Sequence, residues 1–174
     1  MIRIKIFLHY LNVSKGFSLI EIVLVLAIII SISTIGYLSL GKFSKSQNLT
    51  YSYTNLLNDL NEAKSNTLSQ VKSSKCTAVQ TLVGYEIAVS NSSIPNYYTT
   101  KVVCATNPSD STTHTKTQVK KVTLPNNITI NMSPTSSLIF FIPDGTPSVS
   151  YSATLKSGTQ SVSLGVDEQG VILH

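Results

Sequence analysis

Residues 15–33 read KGFSLIEIVLVLAIIISIS, and how this stretch is read decides the fold. Glu21 is its only acid, and residues 22–40 that follow carry no formal charge. About 20 apolar residues are enough for a helix to cross a bilayer. A carboxylate at the centre of a bilayer costs on the order of 3 kcal/mol, so Glu21 points to a function with a partner. The alternative is an interfacial acid that reaches out to lipid headgroups.

Upstream lies a short basic segment, MIRIKIFLHYLNVSKG, ending at Gly16. A secretory signal peptide places its small-residue cleavage site after the apolar core, whereas here the basic segment and the glycine come first. Cutting after Gly16 would leave the apolar segment on the mature chain. The formal charge of +5 also belongs mainly to this leader, because Arg3, Lys5 and Lys15 all precede Gly16. Without them, ten lysines face eight acids and the chain carries only +2. The basic balance is therefore weak support for nucleic-acid binding. Positive charge beside an apolar span instead fixes the cytoplasmic end. The expected location is the cytoplasmic membrane, single-pass, with the leader end cytoplasmic and the remainder extracytoplasmic.

The heptad Lys15-Gly16-Phe17-Ser18-Leu19-Ile20-Glu21 resembles the processing signal of type IV prepilins and type II secretion pseudopilins. The resemblance implies that prepilin peptidase cuts between Gly16 and Phe17 and methylates the new amine of Phe17. It also implies that Glu21 pairs with the N-terminal amine of a neighbouring subunit. Glycine suits the cut, since a backbone without a β-carbon can approach a protease closely. A plain membrane anchor is the competing reading of the same segment, and it leaves Glu21 unexplained.

Beyond residue 40, Tyr53, Leu56, Leu57, Leu60, Ala63, Leu68 and Val71 recur near the 3.6-residue period, predicting an amphipathic helix to about Lys72. Asn58, Glu62, Lys64 and Ser65 fall away from this stripe. From Thr77 onward the pattern is β. Tyr85, Ile87 and Val89 alternate with Glu86, Ala88 and Ser90, and β-branched or apolar runs follow at 101–105, 118–124, 128–132, 138–142, 149–155, 162–166 and 171–173. Pro143-Asp144-Gly145 is a turn, because proline fixes φ and glycine accepts positive φ.

This half is similar to the H-type minor pseudopilins and FimT-like minor pilins. The resemblance rests on Leu56-Leu57-Asn58-Asp59-Leu60-Asn61-Glu62-Ala63-Lys64, Gly84-Tyr85-Glu86-Ile87-Ala88-Val89, Leu138-Ile139-Phe140-Phe141-Ile142-Pro143-Asp144-Gly145 and the closing Gly170-Val171. FimT-like proteins that bind DNA carry arginine after the last-hairpin glycine, whereas here Val171-Ile172-Leu173-His174 follows Gly170. DNA is accordingly not an expected partner. Lys116, Lys120 and Lys121 remain an alternative phosphate-binding group or, more simply, a solvated strand face.

Cys76 and Cys104 fall in the region expected outside the cytoplasm, which favours a disulfide over two unpaired thiols. His9, His114 and His174 have no metal-ligand spacing and accompany no nucleophile, so neither metal, cofactor nor catalysis is expected. The polar stretches 91–98 and 106–117 read as exposed loops. Four Asn-x-Ser/Thr matches, at Asn48, Asn91, Asn127 and Asn131, are unsurprising in a chain rich in these residues.

The expected fold is α+β: a long N-terminal helix, membrane-spanning in its first half and amphipathic in its second, packed on an antiparallel β head. Its divisions are a cleaved leader (1–16), a transmembrane and filament-core helix (17–41), the amphipathic half (42–75) and an extracytoplasmic β-rich head (76–174). The expected function is that of a minor pilin or pseudopilin, processed by prepilin peptidase and assembled with other pilin subunits into a pilus or secretion pseudopilus. Membrane lipid surrounds it beforehand. A DNA-uptake minor pilin and a permanently anchored envelope binding protein are the alternatives.

Overall fold

The computed structural model describes residues 17–90 and 95–173, with the helical backbone but not the side chains of residues 32–40. The expected leader, Gly16 and part of the expected 91–98 loop lie outside the described residues. The chain divides into two compact units, Met1–Lys42 and Phe43–His174.

Helix α1 spans Leu19–Leu68 and so contributes to both units. In the first unit its start is defined by the Ser18 carbonyl, which accepts from the N–H groups of Glu21 and Ile22 at 2.9 and 3.2 Å. In the second unit Leu49, Leu56, Leu60 and Ala63 are buried at helical spacing, with Tyr53 packed beside them. Burying a leucine fully contributes about 1.5–3 kcal/mol, so this stripe fixes the helix face. Leu68 and Val71, expected on the stripe, are each 48% exposed. Leu68 is the last residue of the helix and Val71 lies beyond it. Gln70 takes φ +50°, its N–H bonds the Thr67 carbonyl, and the Val71 N–H bonds the Asn66 carbonyl, both at 3.0 Å. This paired closure satisfies carbonyls that the last turn would otherwise leave open.

Among the described residues eight strands follow: β1 Thr81–Ser90, β2 Tyr97–Ala105, β3 Thr115–Thr123, β4 Thr129–Ser133, β5 Ser137–Phe141, β6 Tyr151–Ser157, β7 Gln160–Val166 and β8 Ile172–Leu173. A short 3-10 turn, Ser111–Thr113, precedes β3. The strands form two four-stranded antiparallel sheets, ordered β3-β2-β1-β5 and β4-β6-β7-β8. One core joins the α1 stripe to Tyr85, Ile87, Val102 and Phe140 of the first sheet and to Ile130, Leu155, Leu164 and Val166 of the second. Val83, Val103 and Ala105 form a smaller cluster with Ile139 and Phe141, flanking the opposite face of the first sheet.

This body corrects the expected α+β arrangement. The β part is two sheets instead of one head, and it makes up most of the second unit. Among the described residues, no helix is long and apolar enough to cross a membrane. Glu21 lies inside the apolar N-terminal part of α1, two residues from the helix start. The membrane-spanning first half and the single-pass location in the cytoplasmic membrane are corrected with it. Freedom from charge over residues 22–40 does not by itself make a membrane span. The division into two sheets was not visible because alternation reveals a strand's faces but not its partner.

Candidate functional site

Within the first unit, Phe17 is 78% exposed and Glu21 stands in the first turn of α1. A carboxylate there interacts favourably with the helix N-terminus, by about 0.3–1 kcal/mol, which gives Glu21 a local role beside any intermolecular one. Phe17, Glu21, Ile22, Val25 and Leu26 line a shallow groove of about 270 Å³. Leu19, Ile20, Ile22, Val23, Leu24, Leu26, Ile28, Ile29 and Ile30 are each at least half exposed, on every side of the helix. Such a continuous apolar surface far exceeds the scattered exposed hydrophobes of an ordinary monomer.

Two buried carboxylates organise the second unit. Asp59, on the core side of α1, accepts from the Tyr98 hydroxyl at 2.8 Å and from Lys120 at 2.6 Å. Burial, followed by the hydrogen bond to Asp59, pushes the Tyr98 hydroxyl far above its ordinary value. The same carboxylate holds the Lys120 ammonium above its usual range. Glu86, only 2% exposed, lies on the other face of the first sheet, where it meets Lys116 at 2.7 Å and Lys101 at 3.6 Å. Glu86 alternates with Tyr85 and Ile87 along β1, yet both faces of β1 are covered from Leu82 to Ile87. Alternation alone does not reveal a second covering layer.

The three β3 lysines therefore do not form one basic strip. A register shift opposite Thr100 and Lys101 sends Lys120 to α1, while Lys116 and Lys121 stay on the far face. Lys121 lies 3.9 Å from the centre of the Tyr97 ring. The candidate phosphate-binding group is thus split, with two of its members engaged by carboxylates.

Cys76 and Cys104 form a disulfide, with Cα atoms 5.8 Å apart. It ties the connection after α1 to β2. Nearby, the Tyr85 hydroxyl donates to the Val71 carbonyl at 2.9 Å, and burial followed by the Glu62 charge raises its pKa. Asp144 is exposed in the turn after β5. His114 approaches the Pro108 carbonyl at 3.3 Å. His9 and His174 lie outside the described residues. Among the described residues no cluster of His, Cys, Asp and Glu could hold a metal. A depression of about 470 Å³ between Asn96, Asn126, Asn131 and Lys156 offers amides, hydroxyls and one ammonium, but no acid–base pair. No protein-family model, curated protein or solved structure matches the chain.

Proposed function

We propose that the chain is a minor pilin or pseudopilin: a subunit cut between Gly16 and Phe17 by prepilin peptidase and assembled into a pilus-like or secretion pseudopilus filament. The observation that carries this reading is the uncovered apolar surface of residues 17–30, interrupted by the single carboxylate of Glu21. Packing against other subunits removes that surface from water, at about 25 cal/mol per Å² buried. In such a packing Glu21 needs a cation, and the amine freed at Phe17 by cleavage supplies one. The resemblance of residues 15–21 to the prepilin signal supports the same assignment. The disulfide-bonded second unit is then the part displayed on the filament.

Mass spectrometry of the N-terminus, in cells with and without prepilin peptidase, tests the proposal. The expected mature chain begins at methylated Phe17 only when the peptidase is present. Retention of residues 1–16 in its presence overturns the reading.

A further inference from the structure

The two edges of the first sheet carry opposite charge. On the face away from α1, Lys101 and Lys116 share the one carboxylate of Glu86, and Lys121 stands over Tyr97, whose ring has no formal charge. Three ammonium groups thus meet one carboxylate beside the β3 edge. Beyond β5, the opposite edge, Asp144 occupies the following turn. The β7–β8 turn brings Asp167 and Glu168 alongside it. The two turns touch, since a β-carbon added to Gly170 would lie 2.5 Å from the Gly145 carbonyl oxygen. The stem of Lys64 runs past Gly145, so this corner brings three acidic residues and one lysine together. Asp167 accepts from the Val171 N–H at 2.6 Å, whereas Asp144 and Glu168 are exposed and in none of the ion pairs among the described residues.

We propose that the basic face beside β3 docks the Asp144–Glu168 corner of a second copy of this chain. The charges are complementary and lie beside opposite edges of the first sheet, the acidic one shared with the β7–β8 turn of the second, so the contact joins unlike surfaces and leaves a free partner surface at each end. Contacts of that kind propagate into rings or filaments. The inference rests on the filament reading for its setting, and adds to it a second, electrostatic contact between displayed units.

The test is carbodiimide cross-linking of the purified full chain, with isotope-labelled and unlabelled copies mixed so that intermolecular amides can be recognised. The expected products join Lys101, Lys116 or Lys121 to Asp144 or Glu168, with yields falling at least fivefold in about 0.5 M salt, where charges are screened beyond a few ångströms. Lys121→Glu and Glu168→Lys each lower the yield by at least fivefold while leaving the melting temperature within a few degrees, and the double variant recovers it. Single variants that cross-link like the wild type, or amides that map elsewhere, overturn the proposal. Wild-type filaments without these amides sink the contact and leave the filament reading standing. Salt-sensitive amides from a chain that never forms filaments uphold the contact and sink the filament reading.

Discussion

Lys120 Nζ lies 2.6 Å from Asp59 Oδ1, so an edge-strand lysine reaches through the sheet's inner face to a carboxylate buried on α1. Tyr98 holds the other oxygen at 2.8 Å. One helix residue is thereby fastened to two neighbouring strands, and the register of α1 on the sheet is set by polar geometry as well as by packing.

The partners of Asp59 are not equivalent. The Lys120 side chain is 48% exposed and finds water when released, whereas Asp59 stays buried. Replacing Lys120 with Met strands a buried charge and is expected to cost about 2 kcal/mol, below the 3–5 kcal/mol of a fully sealed pair because this site is partly open. Asp59→Asn keeps an acceptor for Tyr98 and is expected to cost about 1 kcal/mol. Urea unfolding of the three proteins checks the order, and a costlier Asp59→Asn contradicts it.

Alkaline pH should weaken the same junction. Tyr98 and Lys120 both have pKa values raised in the folded chain, so each is protonated in the folded state at a pH where the unfolded chain has begun to lose the proton. Their contribution is complete below the ordinary value of about 10 and is lost as pH rises above it. Tyr98→Phe removes one of the two groups and should flatten the fall in melting temperature between about pH 9 and pH 11. A parallel fall in variant and wild type argues against the assignment.

How much of this was legible in sequence depends on the range of the interaction involved. The α1 stripe of Leu56, Leu60 and Ala63 follows from periodicity, and the disulfide from two cysteines in a polar region. Val71 falls off the stripe because Gln70 closes the helix in a left-handed conformation that sequence favours only for glycine or asparagine. The two buried carboxylates were missed for a different reason. Glu86 alternates with apolar residues as a solvated position would, and Lys120 sits in a run, Lys-x-x-x-Lys-Lys, whose division between faces is set by a register shift in the neighbouring strand. Neither depends on residues nearby in the chain.

Gln70 offers a stabilising change. An L-residue held at φ +50° pays a steric cost that glycine avoids, and its N–H and the next already complete the helix closure. Gln70→Gly is expected to raise stability by about 0.5–1 kcal/mol in chemical denaturation. Destabilisation would mean that the Gln70 side chain contributes more than its backbone conformation costs.

Two other glycines should behave in opposite ways. A β-carbon on Gly84 would overlap the Phe140 carbonyl across the β1–β5 pair, so Gly84→Ala must push the inner strand β1 and the edge strand β5 apart. A loss of about 2–3 kcal/mol is expected. Gly158, at φ +61°, has open space around it, so Gly158→Asn keeps an allowed left-handed residue and should change stability by less than about 1 kcal/mol. Thermal melts of both variants separate crowding from backbone conformation.

The disulfide closes a loop over a sequence separation of 28. Chain-entropy arguments put its contribution at about 3 kcal/mol. Reduction, or Cys76→Ser with Cys104→Ser, is expected to lower the melting temperature by roughly 10 °C. The Asp59 contacts and the buried stripe of α1 persist without it, so the helix should remain folded by circular dichroism below the new midpoint. Loss of helical signal on reduction at room temperature would show that the tie after α1 supports the whole second unit.

Glu21 separates a local role from an intermolecular one. If its carboxylate serves only the helix N-terminus, Glu21→Gln costs less than about 1 kcal/mol of helix stability and leaves assembly unchanged. If it neutralises the amine of Phe17 in a neighbouring subunit, the change leaves cleavage after Gly16 intact and removes a charge pair from an apolar interface. Incorporation into filaments should then fall at least tenfold, with the processed chain still accumulating. Quantifying processed chain in sheared filaments against total cell protein distinguishes the two. Equal incorporation of Glu21→Gln and wild type would assign Glu21 to its own helix and remove its role in assembly.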